Sequence, residues 1–512
     1  MATTIPIAGL AANNPIPGVF NEIDFAAGPN AASGATYAML IIANKLTAGS
    51  ATADTVIYGP DTATTLTSLV DAQNLFGIGS EAYRMYKRAL PLANLSSVPV
   101  YVICPAESVG VQASGSITYV NSATANAVAR IFVVDEFVDV TITSGDAIGT
   151  IATNTAAAIN AKIDWPVTAS ASLGVVTITA RQKGLRGNWI RIGASILGTG
   201  VATTVTPGPM AFLTGGTTAD TWTTALSTIA PLRYYYIASA DDGGQSATGL
   251  TALMTQVTSQ ALPTTGITQV VVAGANDASL SNVTTVAIAL NNALGEMYHL
   301  PKGDVPPCEM AAMMAATEAS YESNFSAGVL NFDNFGLTQQ SQAYWRIPTP
   351  RVPAPFTNTQ LISALNNGVS PINVTSKNQT YVVSRITTRS QTAGTADYRI
   401  RDSHKVRIMH RFADDLRAKQ VLQTAGKAVG NDPKPGERSP GGAVVTPRVI
   451  DALINKLIRD YGDADLLQNA EDIVAGTIVN REANPSTRIT TSIPLQPIDV
   501  LHQIGNVMAQ VA

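Results

Sequence analysis

The spacing of hydrophobic positions changes several times along this chain, and each change separates one predicted unit from the next. After Gly34, TYAMLIIAN is an unbroken apolar run of strand length closed by LTAGS, which predicts a strand buried on both faces. Thr55 to Tyr58 predicts a short second strand. Thr65 to Leu92 has helical spacing that includes Leu75, Tyr83 and Tyr86, and PVYVICP (Pro99 to Pro105) returns to the buried-strand pattern. The alternation resumes with RYYYIASA, a helix over Ser246 to Ser259 and ITQVVVAGAN, then helical spacing over Ser281 to Leu300 and Met310 to Tyr321. Strands and helices alternating at these intervals predict an α/β sandwich.

Between those two stretches the period falls to two. GSITYV, RIFVVDEFVDVTIT, GVVTITARQKG and GNWIRIGASI predict alternating strands, with an Ala-rich helix over Asp146 to Ile163 that puts Ile148, Ile151, Ala158 and Ile159 on one side. Gly/Ser-rich and Thr/Gly-rich stretches flank this part, so it reads as a β-rich module inserted into the α/β domain.

The C-terminal third begins with a short helix pattern from Leu361, a strand over Tyr381 to Ile386 and a basic helical segment ending near Lys419. GNDPKPGERSPGG is a loop that no helix crosses. Thr446 is a natural N-cap and Pro447 a natural first residue for a helix whose Ile450, Leu453, Ile454, Leu457, Ile458 and Tyr461 form one stripe, with Gly462 at its end. Asp472 to Glu482 and Ser486 to Pro497 are strand-like. The last fifteen residues, IDVLHQIGNVMAQVA, fit a helix through Ile498, Leu501, Ile504 and Met508 and fit a strand through Gly505 and the valines that follow. At the other end, Gly18 to Phe25 forms one strand pattern with Val19, Ile23 and Phe25, on a lead broken by Pro, Gly and Asn. It is either an arm that pairs with another sheet's edge or a frayed terminus.

These patterns predict a multidomain α/β (α+β) protein: α/β sandwich core domains, an inserted β-rich domain and extended terminal arms. The expected units are an arm over 1–35, an α/β domain in two segments, 36–111 and 214–350, an inserted domain over 112–213, a C-terminal α/β domain over 351–497 and an arm over 498–512. A length of 512 residues accommodates that number of cores.

Composition changes the picture in one respect. Only 13% of residues are charged while 46% are hydrophobic. Such a surface is either Thr/Ser-rich or covered by copies of the same chain. The net charge of -4 argues against a general nucleic-acid binder, which needs a basic footprint. Cations are nevertheless concentrated: Tyr381 to Arg448 holds thirteen Lys/Arg against six Asp/Glu, either a solvated basic face or one that meets an acidic partner. Cys104 and Cys308 have no metal or disulfide spacing and read as free thiols. The start has no basic segment ahead of an apolar run, so no signal peptide is expected, and no apolar run is long enough to span a membrane.

Chemistry is sparse. Asp241 and Asp242 follow a strand and precede two glycines, where a carboxylate is either catalytic or a helix cap; no base or cation accompanies them in sequence. GIGSEAYRMYKRAL has a G-x-G without the rest of a nucleotide loop. Met310, Met313 and Met314 suit apolar packing. His299, His404, His410 and His502 lack metal-ligand spacing, so neither metal nor cofactor is expected.

Taken in order, PGVFNEIDF, the Gly115 to Ile196 module, ALNNGVSPINV, SRITTRSQTAGTADYRIRD, VVTPRVIDALINKLI, IVNREANPSTRITTSIP and PIDVLHQI resemble the tail sheath proteins of contractile-tailed bacteriophages, most closely the Mu-like branch. The resemblance implies a structural protein that polymerises as stacked hexameric rings around an inner tail tube and contracts to drive the tube through the host envelope. It implies strand pairing between copies through the arms, with Val19, Ile23, Phe25, Leu501, Ile504 and Val507 as contact candidates. It also implies an outward-facing inserted module and a C-terminal domain whose Arg399, Arg401, Lys405, Arg407 and Arg411 face the tube. The implied partners are further copies, the tube protein, and baseplate and tail terminator proteins, without direct nucleic-acid binding or membrane insertion. The implied location is the virion tail, after assembly in the host cytoplasm. The alternatives are another virion tube or shell protein, or a hydrolase using Asp241 or His404.

Overall fold

Met39–Ile42, four residues without a polar side chain, form β1 near the middle of the main sheet, where burial on both faces removes any need for alternation. The computed structural model describes residues 38–58, 66–94, 97–107, 109–198, 205–241, 248–262, 265–324, 347–438, 441–483 and 487–499. The arm candidates Val19, Ile23, Phe25, Leu501, Ile504 and Val507 lie outside the described residues.

After β1 come β2 (Val56–Ile57), α1 (Leu69–Phe76), α2 (Glu81–Ala93) and β3 (Val100–Ile103). The single helical pattern expected over Thr65 to Leu92 is two helices. Gly77 and Gly79 take φ of 78° and 80°, values that favour glycine, and the Ser68 and Ser80 side chains cap the two starts by accepting from the Asp71 and Tyr83 amides. A Cβ on Gly79 would stand 2.7 Å from the Trp165 carbonyl oxygen, so this turn also fixes how closely the next unit approaches.

That unit contains β4 (Gln112–Tyr119), β5 (Ala127–Val133), β6 (Glu136–Ile142), α3 (Ile148–Ala161), β7 (Val167–Ser172), β8 (Val175–Lys183), β9 (Arg191–Leu197), β10 (Val205–Thr206) and β11 (Ala211–Phe212). Its strands form two antiparallel sheets, ordered β10-β4-β8-β7 and β11-β9-β5-β6. RIFVVDEFVDVTIT is not one strand but a hairpin that turns at Val134 (φ 49°) and places Arg130 opposite Asp139. Tyr119, Ile131, Ile159, Trp165 and Ile178 belong to a hydrophobic cluster that shares no residue with that of the main sheet. The chain enters and leaves this unit side by side: Ser114 and Thr214 exchange backbone hydrogen bonds of 2.8 and 3.0 Å.

The main sheet then resumes with α4 (Thr223–Ile229), β12 (Tyr236–Ser239), α5 (Thr248–Gln260), β13 (Val270–Ala275), α6 (Leu280–Leu290), β14 (Gly295–His299), α7 (Pro307–Asn324), α8 (Asn358–Asn366), β15 (Ser370–Val374) and β16 (Thr380–Val382). Its order is β16-β15-β14-β13-β12-β1-β3-β2, parallel except for the outermost strand at each edge. Successive strands depart from β1 one way and from β12 the other, so the order reverses there and a crevice opens beyond their carboxyl ends. Helix α7 packs on α2 and on β12 and β13.

Two expectations change at this point. The helix expected over Ser281 to Leu300 is α6 followed by a strand: Asn291, left-handed at φ 37°, stops the helix, and β14 is buried along its whole length, so no alternation marks it. The boundary expected at 350/351 does not divide two cores, because β15 and β16 complete the main sheet and Ile372 and Val382 join its cluster. The strand expected over Tyr381 to Ile386 keeps only its first residues in β16; Ile386 instead forms a single bridge with Asp402.

The remaining elements are β17 (Gln391–Thr392), β18 (Thr395–Ala396), α9 (Ser403–Thr424), β19 (Ala428–Val429), β20 (Val444–Val445), α10 (Pro447–Asp463), α11 (Ala470–Gly476), β21 (Ile478–Arg481) and β22 (Ile489–Ser492). The stripe of α10 buries Ile450, Ile454, Leu457, Ile458 and Tyr461 against Ile408 and Phe412 of α9, each side chain contributing about 2–3 kcal/mol. Thr446 is the N-cap by backbone conformation, yet its side chain makes no capping hydrogen bond. The strand expected from Asp472 is the short helix α11 running into β21.

Candidate functional site

Most buried charges of the described residues lie where one unit meets another. On α2, Arg84, Lys87 and Arg88 stand at i, i+3 and i+4 and so share a face, which meets the turns of the inserted module. Arg84 Nη1 donates to the Asp164 carbonyl at 2.9 Å, Lys87 Nζ to Asp164 Oδ2 at 2.7 Å, and Arg88 Nη2 to Asp135 Oδ1 at 2.5 Å. Beneath them Glu309, in the first turn of α7, accepts from Arg84 Nε at 2.5 Å and Arg88 Nε at 2.8 Å. Burial pushes the Glu309 carboxyl up, but the two guanidiniums outweigh it and bring its pKa down to about 2.

A second junction uses Arg351, which donates to the carbonyls of Val134, Asp135 and Glu136 at 2.6, 2.7 and 3.0 Å and so closes the β5–β6 turn. Asp304 lies between Arg351 and Arg191 of β9 and accepts from Arg191 Nη1 at 2.7 Å. A third, at the crevice between β1 and β12, joins Arg186 to Glu81, Asp220 and Asp241.

The fourth lies inside the basic stretch. Arg407 donates to Glu296 Oε1 at 2.6 Å and Glu318 Oε2 at 2.5 Å, and Arg385 lies 2.9 Å from the same Glu318 oxygen. Tyr298 Oη stands 2.8 Å from Glu296 Oε2 and 2.5 Å from Glu318 Oε1. A phenol has one proton, so serving both carboxyls requires a second proton on the pair. Burial and the neighbouring Glu296 lift Glu318 to about 8 against the pull of Arg385 and Arg407, whereas those two cations bring Glu296 below its ordinary value despite burial.

The expected tube-facing cations therefore separate. Arg407 is not on a surface: 6% exposed, it inserts from the first turns of α9 between β14 and α7 and lies 4.4 Å over the Tyr236 ring. Arg399 holds Asp397 in a two-pronged pair of 2.9 and 2.8 Å while its side chain stays 80% exposed. Arg401 pairs with Asp402, Lys405 with Asp499, and Arg411 with Asp415 one helical turn on. Asp241 is a cap as well as an ion-pair partner, accepting from the Gly249 and Leu250 amides at the start of α5. His299 ends β14 with Nε2 2.8 Å from the Asp277 carbonyl, and burial pushes it down to about 4; His404 Nε2 meets the Ile498 carbonyl at 3.0 Å. His502 and Asp242 lie outside the described residues. No described helix is long and apolar enough to cross a membrane. Sequence reasoning passed over Glu296, Glu309 and Glu318. The signal was available: Glu296 is the one carboxylate of GEMYH, and Glu309 and Glu318 are the two carboxylates of PCEMAAMMAATEAS, runs with no Lys or Arg to pair them.

No family model matches the chain. Over 483 residues it is 24% identical to the Mu-like prophage FluMu tail sheath protein of Haemophilus influenzae, spanning 93% of each. Among solved structures, the sheath tail proteins of Desulfitobacterium hafniense and Listeria innocua are 16% and 13% identical. The first match covers 95% of this chain and 98% of that one at a TM-score of 0.46, and the second 92% and 94% at 0.48. The contracted helical sheath of the anti-feeding prophage, 13% identical, covers 97% of this chain and 100% of its own at 0.44. The similarity to the Mu-like prophage tail sheath protein thus runs along 93% of both chains, and the sequence motifs point the same way.

Proposed function

We propose that the chain is the repeating subunit of a contractile tail sheath, stacking as hexameric rings around an inner tube and shortening to drive that tube through the host envelope. Baseplate and tail terminator proteins bind the two ends of the polymer, which assembles in the host cytoplasm. The observation that carries this reading is the correspondence with a prophage sheath protein along 93% of both chains. The terminal segments 1–35 and 498–512 link neighbouring copies by strand pairing. We take the acceptor to be the β21–β22 hairpin, one of three two-stranded sheets among the described residues whose strands pair only with each other. Both outer edges then carry backbone donors and acceptors suited to an added strand.

Negative-stain microscopy tests the reading directly: purified subunit forms striated tubes or rings, and monodisperse small particles under all assembly conditions would refute it. Removing residues 1–30, or the last fifteen, leaves folded subunits that make no tubes; normal tubes from both truncations would exclude the linking role.

The tube contact falls above all to Arg399, whose side chain is 80% exposed, with the partly exposed Arg401 and the half-buried Lys405 beside it. Charge reversal at these three weakens assembly on purified tube several-fold more than self-polymerisation, and a high-salt buffer reproduces the effect. Equal loss in both assays would assign the three residues to the subunit alone.

A further inference from the structure

We propose that the crevice at the strand-order reversal of the main sheet is a guanidinium-binding socket, and that Arg186 of the inserted module is the ligand built to fill it. In sheets of this topology the carboxyl ends of the two strands beside the reversal part, leaving a crevice that is open to a ligand. Here the residues just beyond β1 and β12 are Asn44 and Asp241, and Glu81 opens α2 beside them. Three carboxylates from separate segments converge on one cation. Arg186 Nε donates to Glu81 Oε1 at 2.8 Å, Nη1 to Asp241 Oδ1 at 2.8 Å, and Nη2 to Asp220 Oδ2. The carboxylate side chains are 9%, 1% and 2% exposed for Glu81, Asp241 and Asp220.

The socket is held in place without help from its ligand. The Asn44 amide donates to Glu81 Oε2 at 3.0 Å, and Asn44 Nδ2 to Asp220 Oδ2 at 2.7 Å. Asp241 Oδ2 is fixed by the Gly249 amide at 2.6 Å and the Leu250 amide at 3.2 Å. Each of these donors belongs to the main-sheet unit. Arg186 sits instead on the short 3-10 turn Leu185–Trp189 that follows β8. Ligand and socket thus come from parts of the chain whose hydrophobic clusters share no residue.

The chemistry selects a guanidinium. A planar fork presents N–H bonds along several fixed directions in one plane, whereas an ammonium is a compact point charge that cannot hold three carboxylates in that geometry. Three buried carboxylates with no cation would be strongly unfavourable, so the socket demands an occupant. The seating of Arg186 orients the module on the sheet, and this assignment holds whether or not the chain forms a sheath.

The test uses the full chain carrying Arg186→Ala and follows hydrogen exchange by mass spectrometry, with ethylguanidinium at millimolar concentration as the probe. Exchange at the module's docking turns, 162–166 and 185–189, rises at least about tenfold while β12 and β13 stay protected. Ethylguanidinium restores the protection; ethylammonium and sodium chloride at equal ionic strength do not. Protection equal to that of the unaltered protein, or equal rescue by all three salts, would overturn the proposal. Should Arg186→Ala fail to fold, Arg186→Lys carries the test: it keeps the charge but not the fork, so the same turns must exchange faster, and wild-type protection in that variant would overturn the proposal.

Discussion

Glu309→Gln costs the subunit about 3–5 kcal/mol at neutral pH, the cost of leaving buried cations without their countercharge. Glu309 is 1% exposed and lies under both Arg84 and Arg88. Glutamine keeps the shape but offers one neutral oxygen in place of a carboxylate. The pH dependence separates this from a packing defect. The folded carboxyl titrates at about 2, below its ordinary 4.5, so its ionisation contributes stability that is present above 4.5 and lost as pH falls toward 2. Amide exchange in α2 and α7, measured on both proteins, should differ most at pH 7 and converge below pH 3. A gap that stays constant over that range would place the cost in packing.

The same charges explain what the sequence disclosed and what it hid. Periodicity found strands such as β5, because a strand with one less covered face announces itself by alternation. It found α10, because a helix with one wet face shows a stripe. Unbroken apolar runs revealed covered strands such as β1 and β13, and the reading failed where a covered strand carries polar residues. GEMYH carries Gly, Glu, Met, Tyr and His in a strand with no exposed side, so neither period survives, and the helix pattern ahead of it was extended through it. The boundary at 350/351 failed for a related reason: β15 reaches the main sheet after a long excursion, and nothing local in SPINV says which sheet it joins.

The basic stretch was legible as a concentration of charge but not as a set of partners. Arg399 and Arg407 are both arginines within one segment, yet one is largely in solvent and the other sealed between β14 and α7. What separates them is the location of Glu296 and Glu318, about a hundred residues earlier in the chain. Pairing over that distance has no local sequence signal; carboxylates in an Ala/Met helix with no Lys or Arg are the nearest to one. Asp241 shows the converse. Its cap role was readable from a strand end followed by two glycines, while the cation facing it arrives from the inserted module.

Arg407→Met has the second large effect, and its cost also rises with pH, but over a higher window than that of Glu309→Gln. With Arg407 removed, Glu296 and Glu318 face Arg385 in a site closed to water, and the expected loss is about 3–5 kcal/mol. In the unaltered protein Glu318 titrates at about 8, above its ordinary 4.5. A raised carboxyl contributes stability that is complete below 4.5 and lost as pH climbs through 8, since folding then holds a proton the unfolded chain has released. Removing the cation lifts the pair further, so the cost of Arg407→Met grows from pH 5 to pH 8.5. Glu318→Gln supplies the control: its amide carries no titrating proton, so the decline between pH 5 and 8.5 flattens while the Arg407 contact to Glu296 persists. Urea denaturation followed by exchange of β14 and α9 amides reads both variants. A loss from Arg407→Met that is the same at pH 5 and pH 8.5, or an unchanged slope in Glu318→Gln, would mean that the buried carboxyl pair carries no shared proton.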